Sequence, residues 1–263
     1  MAVQKRTYKF SVADCDVIDK ANLELFRQER DTWLALFEDD PAHNVRSQIN
    51  ELMWTDAVFR ALNQMRGLGS ESQPTGSHNR AIGEFIDKGF LASQVLGISK
   101  LTDPPNNDKN KNVVSLRRLL GDIKEKVHLV TRENFVCFDG LPFDYEEAAR
   151  RHINSLTPEQ RRQPRWLSRE GPEAFGSSKI SHLSFNELCC SPAGSRLDRI
   201  DGGILTAIEG MLSHQSITKI RGFRNKYLGH AADSISRRGH SLETYGFSLD
   251  EFAEAQQRIG LSP

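Results

Sequence analysis

The chain has 263 residues, 38% hydrophobic and 27% charged, a balance that suits a globular protein and excludes a disordered one. Its 35 Lys and Arg offset 35 Asp and Glu, so the formal charge is zero and any nucleic-acid surface must be local. No stretch approaches the roughly 20 apolar residues that cross a bilayer, and MAVQKRTYKF lacks the apolar run of a signal peptide. A cytoplasmic protein with no membrane partner is expected.

Apolar residues from Val17 to Phe37, among them Leu23, Phe26, Trp33 and Leu36, recur at helical spacing until Pro41. They predict a first long helix, frayed or bent near Ala21. A second is expected over 44–65, with Val45, Ile49, Leu52, Met53, Val58, Phe59 and Leu62 on its apolar face; the breaker-rich GLGSESQPTGS ends it. Trp33, Trp54 and Phe59 are placed in the core. The third, over 78–101, carries Ile82, Phe85, Ile86, Phe90, Leu91, Val95, Leu96 and Ile98, and DPPNNDKNKN stops it because two prolines forbid continuation. The fourth begins near Asn112 and contains VVSLRRLLGDIKEKVHLV. Four amphipathic helices can bury their stripes against one another as a bundle.

Over 139–196 the texture changes, because Pro142, Pro158, Pro164, Pro172 and Pro192 are half of the chain's ten prolines. This segment is read as a Pro-rich irregular insertion or flap, with short helices at FDYEEAARRHI and at TPEQRRQ, where Thr157 is the N-cap and Pro158 the first helical residue. Periodicity returns over 197–228 with a kink or short break. A closing helix follows in SLDEFAEAQQRI, where Ser248 and Glu251 form a capping box. The expected organisation is therefore residues 1–138 as the N-terminal helices, 139–196 as the insertion, and 197–263 as the motif and closing helices of the same all-α domain.

Four cysteines, Cys15, Cys137, Cys189 and Cys190, lack paired metal spacing and read as buried free thiols; a catalytic Cys189 or Cys190 with His182 is the weaker alternative. The concentrated signal lies in ITKIRGFRNKYLGHAAD, residues 217–233. Between Lys219 and His240 the sequence carries Lys219, Arg221, Arg224, Lys226, Arg237 and Arg238 against a single carboxylate, Asp233, and such a patch attracts phosphates. On charge alone, a solvated face with cations near a helix C-terminus is the preferred reading. Arg224, Asn225 and His230 add a fixed cation, an amide and a titratable imidazole within one short stretch. Histidine can exchange protons with a ribose 2′-hydroxyl or a leaving 5′-oxygen, and a guanidinium can stabilise a phosphorane-like transition state, without a metal or cofactor. Six positions along a regular helix, however, leave Arg224 and His230 roughly 120° apart in rotation and about 9 Å apart along the axis. A shared site needs a helix that ends at Gly229 or a second chain, and the twofold dimer is the favoured route.

The RNKYLGH stretch resembles the signature of the HEPN superfamily, in which Arg is followed after four to six residues by His and the first intervening residue is often polar. SKLTD at 99–103, NVVSLRRLL at 112–120 and the closing SLDEF are similar to the AbiU-like abortive-infection branch. The likeness spans about 16–130 and 197–259. It implies a HEPN-like helical bundle, a homodimer through the motif helix, and a metal-independent endoribonuclease acting on RNA in a toxin or antiphage role. Arg224 and His230 would be catalytic, with Asn225 orienting one of them; Arg221, Lys226 and Lys219 would contact phosphates, and Asp103 would be an accessory. Some HEPN proteins are held inactive by a nucleotidyltransferase-like antitoxin. Others keep the fold as a noncatalytic module that binds RNA, nucleotide or protein.

Overall fold

The computed structural model describes residues 6–69, 77–105, 113–161, 168–190, 194–228 and 246–260. Among them the protein is helical, without a strand; one isolated antiparallel bridge links Thr131 and Arg199. The chain falls into two compact units, 1–35 with 121–206 and 36–120 with 207–263. These cut the chain at other places than the sequence boundaries at 138 and 196.

In the first unit, α1 (Lys20–Leu34) starts at Asp19, whose carboxylate accepts the Asn22 backbone N–H at 2.9 Å. This cap explains why the helix begins three residues after the first apolar signal: Val17 is buried ahead of it, whereas Ile18 is exposed. The predicted fourth helix is shorter than its pattern. It comprises α4 (Leu116–Glu125), whose residues up to Leu120 belong to the second unit and the rest to the first, and a 3₁₀ turn follows at Val127–Leu129. α5 (Arg132–Cys137) is capped by Thr131. Residues 139–196 carry α6 (Tyr145–Ser155), capped by Asp144, the short α7 (Pro158–Arg161), and α8 (Phe175–Asn186).

Neither α5 nor α8 was predicted, and α8 shows why. Its sequence FGSSKISHLSFN is rich in weak helix formers, and its buried stripe is Ser178, His182 and Phe185. Serine and histidine do not register as an apolar face. They are buried because Ser178 Oγ donates to the Pro142 carbonyl at 2.6 Å and His182 Nε2 lies 2.9 Å from the Phe143 carbonyl, satisfying the backbone ahead of α6. Burial pushes the His182 pKa down, which favours the neutral ring. Beside it Arg132, 1% exposed, donates from Nε to Asp198 Oδ2 at 3.0 Å and lies over the Phe185 ring.

In the second unit, α2 (Val45–Gly69) and α3 (Ser77–Thr102) run antiparallel. Phe59 stacks on Phe90 with ring centroids 3.7 Å apart, and Leu52 sits so close to Gly97 that a Cβ there would come within 2.6 Å of it. α9 (Gly202–Leu212) and α10 (Gln215–Phe223) realise the expected broken helix, and the break falls at Ser213 and His214. α11 (Leu249–Arg258) carries the predicted capping box: Ser248 Oγ accepts the Glu251 N–H at 3.2 Å, and Glu251 Oε2 accepts the Ser248 N–H at 3.0 Å. Buried Gln94 ties three helices together, as its Nε2 donates to the Leu52 carbonyl and its Oε1 accepts from Gln256 Nε2 at 3.0 Å.

The core assignment of Trp54 is corrected: Trp33 and Phe59 are buried, but Trp54 is 72% exposed, as are large parts of Met53, Val58, Ile82 and Phe85. Residue 54 lies about 200° around the helix from Leu52, which faces α3.

Arg132→Ala is expected to lower the stability of the first unit by about 3–5 kcal/mol, because it strands Asp198 in a buried position. Arg150→Ala, which removes an exposed partner of Glu147, should leave the urea midpoint unchanged. Equilibrium denaturation followed by circular dichroism checks both.

Candidate nucleic-acid interface

α10 forms because His214 caps it and Ile217, Ile220 and Phe223 bury one side against the second unit's core. Regular helix ends at Phe223. Residues Arg224–Leu228 continue as a π turn, the kind of wide turn that often marks functional positions. Tyr227 stacks on Phe223 there, and Phe223 also meets Phe247 edge-on at 5.2 Å.

Arg221 and Arg224, three positions apart, project from one side of this segment toward Asp103, the first residue past α3. Arg224 Nη1 donates to Asp103 Oδ2. Arg224 Nε and Nη2 both donate to Asn225 Oδ1, at 3.0 and 2.9 Å, so the amide holds the guanidinium flat. Arg221 Nε lies 3.4 Å from Asp103 Oδ1, buried and without a well-formed hydrogen bond. Two guanidiniums thus share one carboxylate, which leaves about one positive charge uncompensated, partly offset by the negative C-terminal end of α3.

Asp103 is positioned from both sides. Thr102 Oγ1 donates to the Ile98 carbonyl, and Ser115 Oγ donates to the Asp103 carbonyl at 2.8 Å while accepting the Arg118 N–H at the start of α4. The polar gap between SKLTD and NVVSLRRLL is therefore bridged by a buried serine.

Sequence reasoning missed Arg117. Its Nη2 donates to the Leu212 carbonyl at the end of α9 and to Ser213 Oγ, and its Nε is buried without a hydrogen-bond partner. Burial, followed by the neighbouring Arg221 charge, lowers its pKa, while Glu209 and Asp103 oppose that shift. The available signal was its place in the first turn of α4, where a cation is disfavoured by the helix dipole unless something else holds it.

The remaining predicted residues divide. Lys219 faces α11 instead: its Nζ pairs with Glu251 Oε1 and the Gly246 carbonyl and lies over the Phe247 ring. Lys226 sits half-buried in the π turn. His230, with Asp233, Arg237 and Arg238, lies outside the described residues. The alternative thiol site is not assembled, because Cys190 Sγ donates to Asp201 Oδ2 at 2.6 Å, which raises its pKa, while His182 is engaged with the Phe143 carbonyl.

Compared with known proteins, the chain matches no family model, no curated protein and no solved structure.

Asp103→Asn is expected to lower the melting temperature in phosphate-free buffer, equivalent to about 1–2 kcal/mol for loss of a partly buried pairing. Inorganic phosphate should restore more stability to this variant than it adds to the wild type, since an anion can replace the lost carboxylate; thermal melts across a phosphate series read both effects. The Lys219 hydrogen bond holds Glu251 below its usual pKa of 4.5. That pairing therefore stabilises the fold above pH 4.5 and fades as pH falls through the lower folded value. The stability difference between wild type and Glu251→Gln should accordingly shrink on acidification, and melts at pH 7 and pH 3.5 give the comparison.

Proposed function

We propose that the protein is a HEPN-type, metal-independent endoribonuclease that acts on RNA in a toxin or antiphage role. The observation that carries this reading is the convergence of Arg221 and Arg224 on Asp103, with Asn225 orienting Arg224. A planar guanidinium fixed on one edge presents a defined geometry to a phosphate, and a cationic pair of this kind matches the charge that builds on a phosphorane.

In the proposed reaction the ribose 2′-hydroxyl attacks its own 3′-phosphorus and the P–O5′ bond breaks. The products are a 2′,3′-cyclic phosphate and a 5′-hydroxyl. Arg224 binds the scissile phosphate and stabilises its added charge. His230 transfers the proton from the attacking to the leaving oxygen. Phosphate displaces the Asp103 carboxylate from Arg224 as RNA binds, while Arg221 provides a second contact. In this scheme the phosphate-binding groups come from a single chain. A pairing of motif helices in a dimer is one route by which a second His230 would join them, and a nucleotidyltransferase-like antitoxin is a further proposed partner.

A noncatalytic RNA-binding module is favoured by a different aspect of the same cluster: guanidiniums and an amide are groups that bind phosphate and transfer no proton at neutral pH.

Cleavage of a labelled RNA pool in EDTA separates the two. The wild type is expected to cut and leave 2′,3′-cyclic phosphates, with a rate loss of about 10²–10⁴-fold in His230→Ala. Arg224→Ala should lose cutting and also weaken RNA binding with a shallower salt dependence. Tight, salt-sensitive binding without cutting in any folded sample would establish the module instead.

A further inference from the structure

The outer face of the α2–α3 hairpin carries apolar residues that no other described residue of the chain covers. On α2, Trp54, Val58, Ala61 and Met65 recur with spacings of four, three and four; on α3, Ile82, Phe85, Gly89, Ala92 and Leu96 recur with spacings of three, four, three and four. This is the spacing of a helix seam that packs against other helices. The antiparallel register given by Phe59 with Phe90 and Leu52 with Gly97 turns both stripes to the same side of the hairpin.

Exposure along the stripes is large: Trp54 72%, Met65 60%, Ile82 59% and Phe85 78%, with Val58 and Leu96 near 40%. Each aromatic side chain brings about 150–250 Å², so Trp54 and Phe85 alone leave on the order of 300 Å² open. With the four aliphatic neighbours the patch reaches roughly 600 Å², at the upper limit for a monomer surface. It approaches the ~800 Å² that each partner contributes to a stable interface.

We propose that this face is the contact between two copies of the chain. A second copy fits on area, since the patch by itself approaches what each partner of a stable dimer contributes. The exposed residues Glu51 and Lys100, opposite in sign, line one small groove beside it. The motif segment offers no comparable surface among the described residues. Ile217, Ile220 and Phe223 are spent on the chain's own core, and Leu228 is the large apolar side chain that segment leaves exposed. The proposed contact lies on α2 and α3, its last residue Leu96 about two turns before Asp103, and it does not depend on the ribonuclease reading.

Sedimentation equilibrium of the full chain over about 1–50 µM is the test, a range that reads micromolar dissociation constants directly. The wild type is expected to be a dimer, and Phe85→Glu and Trp54→Glu should each weaken it by at least ~100-fold, because a charge would be buried at the seam. Both side chains are exposed in the single chain, so circular dichroism and melting of the monomer should be retained; Met65→Glu serves if either variant fails to fold. Leu228→Glu should leave the dimer intact. A monomeric wild type at the highest concentration, or a dimer that survives the seam variants and dissociates with Leu228→Glu, overturns the proposal.

Discussion

The second unit depends on the near-complete burial of the C-terminal half of α3. Val95, Ile98 and Leu101 are fully buried there, and so are the polar Gln94, Ser99 and Thr102. A helix enclosed on several sides must meet most of its polar needs internally, although Ser99 Oγ is buried without a hydrogen-bond partner. Gln94 does so by joining α2 and α11, and Thr102 by returning its hydroxyl to the Ile98 carbonyl. The enclosed helix ends abruptly at Asp103, before two prolines, and this brings a carboxylate to the edge of the core where α10 passes. The ionic cluster follows from that ending, since Arg221 and Arg224 meet a fixed anion at a helix C-terminus.

The first unit is held by a different balance. Its core includes Arg27, Asp31, Arg132, Glu133 and Asn134, all nearly inaccessible. Arg27 serves the Phe138 and Phe10 carbonyls, and Glu133 accepts from the Ile18 N–H and from Arg196. Tyr8 donates to Asp31 at 2.7 Å, and burial together with that carboxylate pushes its pKa up to about 12. Such charged cores contribute modestly to stability but penalise any arrangement that leaves a partner unpaired. Burial likewise raises the Cys15 and Cys137 thiols and keeps both unreactive.

Arg224 illustrates how one segment meets two requirements. Phe223 and Tyr227 anchor the π turn through aromatic contacts, while Arg224 and Asn225 between them are left to the polar side. Because Asp103 already pairs with Arg224, the cluster is partly compensated from within the chain. In the proposed function an incoming phosphate exchanges with this carboxylate, so the side chain at the end of α3 would tune anion affinity.

Much of this was legible without coordinates. The long periodic stripes determined α1, α2, α3 and the broken α9–α10 pair, because apolar residues repeat there at 3.6 residues, although part of the α2 and α3 stripes stays exposed. Local chemistry determined the caps at Thr157 and Ser248, because their side chains reach only three residues ahead. The likeness of Asp103 to an accessory position rested on its neighbours in the sequence, whereas its pairing with Arg224, 121 residues away, is a tertiary fact. Only the fold decided that Ser178 and His182 are core residues, that Arg117 joins the cationic cluster, that Lys219 belongs to α11, and that Trp54 faces outward. Periodicity states that a face is apolar, but which partner covers it, and which polar group finds an acceptor inside, depends on segments far apart in the chain.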